Sequence, residues 1–129
     1  MKRIMCVATA LAAACLIPTA TPAVASSSAC THHLSGPQVC IRITGRNEWN
    51  AITAIWTNPP KRVKTQAVQL YSNGHKLFRP EKAHRVGDSI RYTWSAFDTG
   101  TDTKLCVRFA HSNRIACEST RYSGVPGPV

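Results

Sequence analysis

Hydrophobic and polar side chains alternate in short runs along the chain from residue 39 onwards, and turn residues separate these runs. Strict alternation over a few residues is typical of a half-buried β-strand, whereas an amphipathic helix needs a period of 3.6 residues. No such helical period persists over the length of a helix. The pattern therefore predicts an all-β protein with about seven short antiparallel strands, at residues 39–44, 49–57, 63–71, 76–79, 90–96, 105–110 and 115–121.

Turn residues mark the limits of these predicted strands. The consecutive prolines Pro59 and Pro60 cannot donate to a strand ladder, so the second strand ends before them. Asn73-Gly74 is the commonest dipeptide for a two-residue hairpin turn and predicts such a turn between the third and fourth strands. Pro80 is predicted to end the fourth strand, which places the basic residues that follow it in a loop: Lys82, His84 and Arg85.

The first 25 residues have the layout of a secretory signal peptide. Lys2 and Arg3 form a positive segment, residues 4–17 are apolar, and residues 18–25 are small and end in Ala-Val-Ala. The apolar segment is shorter than the ~20 residues that span a bilayer, so no transmembrane segment is predicted. We expect cleavage after Ala25 and export from a bacterial cell.

Removal of residues 1–25 leaves 104 of the 129 residues, with 14 Lys and Arg against 6 Asp and Glu, and lowers the net charge from +10 to +8. This length predicts a single domain at residues 26–122, followed by a flexible tail at 123–129. It excludes a multidomain receptor and a large α/β enzyme. The expected product is a secreted monomer, and lipid attachment at Cys15 is the alternative.

Four cysteines remain after this removal, and an even number in a short exported chain predicts two disulfides. The cysteine spacing lacks the close pairs and Cys/His clusters of a zinc site, so no metal is predicted. A hairpin centred between His111 and Ser112 places Cys106 directly opposite Cys117, where strand geometry accepts a bridge. The second bridge is then Cys30–Cys40.

Seven short strands at this spacing resemble an immunoglobulin-like β-sandwich, and an orthogonal β-barrel is the alternative architecture. Cys40, Trp56 and Cys106 also stand in the order and rough spacing of the immunoglobulin Cys, Trp, Cys set. That resemblance implies a core bridge Cys40–Cys106, with Cys30–Cys117 as the second. Alternation instead places Cys40 and Cys106 on the same strand faces as Arg42 and Arg108, which favours the local pairing.

Candidate catalytic residues are few. The segment 97–101, Phe-Asp-Thr-Gly-Thr, resembles the active-site loop of the aspartic proteases, in which two Asp residues share one proton. The resemblance covers five residues, and Asp, Thr and Gly equally suit a turn between strands. The five histidines, His32, His33, His75, His84 and His111, have no metal-ligand or acid-base spacing. We therefore predict a protein that is not an enzyme and has no cofactor.

The excess of positive charge is the feature that points to a function. Two sets of basic residues are candidate binding residues: Lys61, Arg62 and Lys64 after the double proline, and Arg42, Arg91 and Arg108 on strand faces opposite the apolar side. Outside the cell such residues attract anionic polymers, cell-envelope surfaces or a protein partner, without sequence-specific recognition of nucleic acid. We predict a non-catalytic binding protein for an anionic surface or a partner protein.

The alternative function is inhibition of an exogenous hydrolase. Prolines preorganise the loop Asn58-Pro59-Pro60-Lys61-Arg62, and a preorganised loop loses little entropy on binding. Its Lys61 or Arg62 would then enter an acidic specificity pocket of the target.

Overall fold

In the computed structural model, the described residues are 25–32 and 36–121. They form eight β-strands and no helix, which confirms the all-β prediction. The strands pair in a single antiparallel sheet in the order β1-β2-β3-β6-β5-β4-β7-β8. Their bounds are β1 Ala25–Cys30, β2 Gln38–Arg46, β3 Trp49–Thr57, β4 Thr65–Ser72, β5 His75–Val86, β6 Ser89–Asp98, β7 Lys104–Phe109 and β8 Ile115–Ser119.

The sheet curls into an almost closed barrel. Strand β8 lies against β1 and β2 without pairing to them in a ladder, so the two edges of the sheet meet. One face of the sheet lines the interior, where the fully buried side chains include Ile41, Ile52, Leu70, Leu105 and Phe109. The barrel alternative therefore fits the described strands, and an immunoglobulin-like sandwich is not confirmed.

Strand β1 was not expected from the sequence, because its three serines carry no hydrophobic alternation. It pairs along its whole length with β2, from Ala25 opposite Gly45 to Cys30 opposite Cys40. Cleavage after Ala25 would remove only the first residue of this strand. The predicted signal peptide up to residue 24, with Cys15, and the predicted tail at 123–129 lie outside the described residues.

Both disulfides have the local pairing that the alternation favoured. Cys30–Cys40 joins β1 to β2, and Cys106–Cys117 joins β7 to β8. In each case the two cysteines are directly opposite in the strand register. The core bridge Cys40–Cys106 implied by the immunoglobulin resemblance is therefore wrong, since each bridge holds one hairpin on the outside of the sheet.

The predicted turn at Asn73-Gly74 is confirmed. Both residues have positive φ angles, 48° and 87°, and Ser72 lies opposite His75. This is the geometry of a type I′ hairpin turn, whose twist matches the right-handed twist of the two strands. Glycine also opens the turn between β5 and β6, where Gly87 has a φ of 62°. These tight turns fix the register of the strands on either side.

Strand β5 continues through Pro80, which corrects the predicted strand end. The register of β4 and β5 passes from Leu70 opposite Leu77 to Val68 opposite Glu81, so Gln69 alone faces three residues of β5. Pro80 lies in this bulge, where the ladder needs no N–H donor from it. As a result Lys82, His84 and Arg85 lie in β5 and not in a loop.

Candidate functional site

The loops gather at the two ends of the barrel, and the two ends differ in charge. One end holds the loop at 58–64, the β5–β6 turn and the β7–β8 turn. In the loops there, or among the three strand residues next to each loop, Asp88 is the only carboxylate in the described part of the chain. We call this the cationic end, and its Lys and Arg residues are Lys61, Arg62, Lys64, Arg85, Arg91, Arg108 and Arg114.

The opposite end is electrically balanced. By the same criterion, four basic residues stand against four acidic ones there among the residues that the structure describes: Arg46, Lys76, Lys104 and Arg121 against Glu48, Asp98, Asp102 and Glu118. The protein's surplus of positive charge is therefore concentrated at one end. An anionic partner approaching in solution is attracted to that end.

The loop at 58–64 is held in place by Arg85. Its guanidinium donates to the backbone carbonyls of Pro60 at 2.7 Å, Val63 at 3.0 Å and Gly87 at 3.3 Å. The Val63 N–H donates to the Pro60 carbonyl at 3.0 Å and closes a β-turn with Lys61 and Arg62 at its corners. Arg85 is thus structural, and it fixes the backbone that presents the other cations.

The three predicted loop cations are accessible at the surface. Lys61, Arg62 and Lys64 are exposed, and their side chains make no hydrogen bond or ion pair with another described residue. A fixed backbone with unpaired cationic side chains offers charge without first breaking an internal contact.

The three predicted strand arginines are all exposed, but they do not form one stripe. Arg42 lies on β2 and Arg91 on β6, with β3 between these strands, whereas Arg108 lies on β7. Two further strands, β5 and β4, separate β6 from β7. Arg91 and Arg108 belong to the cationic end, and Arg42 lies at the middle of β2.

Sequence analysis left three basic side chains of the cationic end out of its candidate binding residues: His84 and Arg85, which it placed in a loop, and Arg114. His84 on β5 lies directly opposite Arg91 on β6, a pairing that only the strand order creates. Arg114, in the β7–β8 turn, donates from Nη1 to the Pro37 carbonyl at 2.8 Å. Its exposed position after a predicted hairpin turn was the signal available in the sequence.

A cavity of about 450 Å³ opens at the cationic end, and we call it the mouth. Trp56, Val39 and Pro60 form its apolar lining, and His111 and Arg114 stand at its rim on the β7–β8 turn. The Trp56 ring packs against Phe109 with a centroid distance of 5.9 Å, which fixes its orientation. Mouths of β-barrels, with few polar groups on an apolar wall, are common ligand sites.

A second cavity, of about 240 Å³, lies on the outer face of β4, and we call it the outer groove. Its floor includes Gln69 and Tyr71, and Lys76 and Arg108 flank it from β5 and β7. His111 lines both this groove and the mouth.

The Asp-Thr-Gly segment lies at the opposite end and is used in a turn. Asp98 ends β6, and its Oδ1 accepts a hydrogen bond of 3.0 Å from the Gly100 N–H. Thr99 is buried, where its Oγ1 donates to the Glu48 carbonyl and accepts from Asn50 Nδ2. These contacts tie the β6–β7 loop to the β2–β3 hairpin.

Among the described residues, no three His, Cys, Asp or Glu side chains lie together as metal ligands would, and His33 lies outside them. The described part of the chain includes no apolar helix of membrane-spanning length.

No protein-family model matches the sequence, and no curated protein or solved structure is significantly similar to it.

Proposed function

We propose that the protein is a secreted, non-catalytic binding protein that attaches through its cationic end to an anionic polymer of the cell envelope or the extracellular medium. The observation that carries the proposal is the concentration of seven Lys and Arg residues, against one carboxylate, at one end of the described barrel. A charge surplus that served only solubility would have no reason to gather at one end.

Export is part of the proposal, and the two disulfides support it because they persist in oxidising compartments. The intact mass of the protein recovered outside the cell should correspond to residues 26–129 with four hydrogens fewer than the reduced chain. A mass that includes residues 1–25, or a lipid on Cys15, would contradict this form of the proposal.

The binding test uses polygalacturonate beads and purified bacterial cell walls as anionic probes. We expect the protein to co-sediment with both, and the bound fraction to fall steeply between about 50 and 500 mM salt because counterions compete for the cationic side chains. The variant Lys61→Ser/Arg62→Ser/Lys64→Ser should bind weakly and show a shallower salt dependence.

A matched control separates the position of the charge from its amount. The variant Arg46→Ser/Lys104→Ser/Arg121→Ser also removes three positive charges, but from the opposite end of the barrel, where all three residues are exposed. It should bind almost as the native protein does. Equal losses in the two variants, or binding that ignores salt, would overturn the proposal.

Hydrolase inhibition by the loop at 58–62 is the second candidate, and the Arg85 hydrogen bonds that hold this loop favour it. It ranks second because Lys61 and Arg62 occupy a β-turn, whereas a substrate-like inhibitor presents an extended segment to a protease cleft. Titration of trypsin with the native protein tests it directly. No loss of trypsin activity at a molar excess of the protein would remove this candidate.

A further inference from the structure

The β7–β8 hairpin tip separates the mouth from the outer groove. Ala110 and His111 line both cavities, so the two cavities adjoin at this tip. The disulfide Cys106–Cys117 lies across the same hairpin and holds its two strands together. The two cavities are therefore neighbours on a rigid support.

Each side of the tip carries an arginine that is already oriented. Arg108 Nε donates to the Ser112 carbonyl at 2.9 Å, and Arg114 Nη1 donates to the Pro37 carbonyl at 2.8 Å. A guanidinium has five N–H donors, so most donors of each arginine remain for an anion. Because an oriented guanidinium loses little freedom on binding, both sites suit bidentate contact with a carboxylate or sulfate.

Each cavity is also lined by an aromatic side chain together with its cation. Trp56 lines the mouth with Arg114, and Tyr71 lines the outer groove with Arg108 and Lys76. A ligand that matches both cavities must alternate anionic groups with apolar ring faces and be long enough to cross the tip. The floor of the groove runs along β4 from Ala67 at the cationic end to Tyr71, which lies opposite Lys76 towards the other end, and these four residue steps cover about 14 Å.

We propose that a linear acidic polysaccharide crosses the β7–β8 hairpin tip, with one acidic sugar in the mouth on Arg114 and Trp56 and others in the outer groove on Arg108, Lys76 and Tyr71. The proposal rests on the function proposed above and names its ligand class and its specific contacts. Single-stranded nucleic acid fits less well because Trp56 and Tyr71 lie on different sides of the tip, whereas neighbouring bases stack on adjacent aromatic side chains. A flat headgroup surface would not enter either cavity.

The experiment measures binding of oligogalacturonates of two to eight units by calorimetry. Affinity should rise with length until one oligomer reaches both cavities, since the second contact becomes intramolecular. Arg108→Ala and Arg114→Ala should each weaken binding of the longest oligomer about tenfold, as expected for the loss of a charge-assisted contact. Arg46→Ala, which removes an exposed arginine at the opposite end of the barrel, should leave the affinity within about twofold, the change expected of a distant charge in salt.

Conservative variants show whether a loss of affinity comes from a lost ligand contact or from an effect on folding. Arg108→Lys and Arg114→Lys keep the charge and the ability to donate to the carbonyl but lose the bidentate geometry. They should retain the native unfolding midpoint and show an intermediate loss of affinity. Native affinity in both the Ala and the Lys variants would overturn the assignment of the two arginines.

The outcomes distinguish this inference from the proposed function. If the Lys61, Arg62 and Lys64 variant loses binding to polygalacturonate while Arg108→Ala and Arg114→Ala behave like Arg46→Ala, the cationic end binds polyanions but the hairpin tip is not the site. If oligothymidylate or anionic phospholipid vesicles bind more tightly than oligogalacturonate does, the ligand is a nucleic acid or a lipid surface and not a polysaccharide. Absence of binding to every anionic probe would overturn both proposals.

Discussion

Arg85 and Pro60 lie in different parts of the chain, and a hydrogen bond of 2.7 Å joins the guanidinium of the first to the carbonyl of the second. Further hydrogen bonds from the same guanidinium reach Val63 and Gly87. One side chain on β5 thus holds the loop that presents three cations and the turn beside it. The position of the candidate binding loop depends on a residue whose guanidinium already donates to three backbone carbonyls.

Replacement of Arg85 by Met should therefore loosen this loop. Met keeps an apolar stem of similar length but has no donor, so the variant should lose about 1.5–3 kcal/mol of unfolding free energy, the range for hydrogen bonds to a charged group. Urea unfolding measures the loss, and faster hydrogen exchange at the Val63 amide locates it. Arg62→Met removes an exposed arginine of the same loop and should change neither, so equal behaviour of the two variants would refute the role of Arg85.

Gln69 stabilises the irregular part of the β4–β5 pair. Its side chain is only 8% exposed, and the two N–H groups of Nε2 are shared among the carbonyls of Leu70, Leu77 and Phe78. Gln69→Leu should cost about 1–3 kcal/mol because it leaves buried carbonyls without a donor. Gln69→Glu should cost more, since a carboxylate would bring acceptor oxygens against carbonyl oxygens. Thermal unfolding of the two variants tests this order, and a more stable Glu variant would contradict it.

Features that depend on neighbouring residues could be predicted from the sequence. Strands β2 and β3 follow from hydrophobic alternation, the Asn73-Gly74 turn from the preference for positive φ angles, and the disulfide pairing from alternation with arginine. In each case the residues that determine the structure lie within about a dozen positions of one another.

Features that depend on distant residues could not be predicted in this way. The continuation of β5 through Pro80 requires Gln69 on the opposite strand, and a single barrel-like sheet requires β3 to pair with β6 and β4 with β7. The concentration of charge at one end follows from strand direction, which decides that Arg91 and Arg108 lie at the same end as Lys61. Charge composition alone contains none of these relationships.

The two disulfides should stabilise the fold by similar amounts. Cys30–Cys40 and Cys106–Cys117 close loops with sequence separations of 10 and 11 residues. Removal of either bridge, as Cys30→Ala/Cys40→Ala or Cys106→Ala/Cys117→Ala, should cost about 3 kcal/mol through the unfolded state. Urea unfolding followed by tryptophan fluorescence measures both losses. If a variant has the same urea midpoint of unfolding as the native protein, its bridge contributes nothing to stability.

Asp88 offers a test in which binding should increase. It is the single carboxylate of the cationic end among the described residues, it is exposed, and its side chain has no partner among them. Asp88→Asn should therefore strengthen binding to polygalacturonate a few-fold at about 50 mM salt, and the gain should vanish at about 500 mM, where screening acts over a few ångströms.

The control for this gain is Asp102→Asn, which makes the same change in net charge at the opposite end. Asp102 is exposed and has a φ of 55°, a conformation that Asn adopts readily, so the substitution preserves its loop. If charge position matters, only Asp88→Asn strengthens binding, although both proteins migrate identically in a charge-based separation. If net charge alone governs attachment, the two variants gain equally, and the unequal ends of the barrel have no part in recognition.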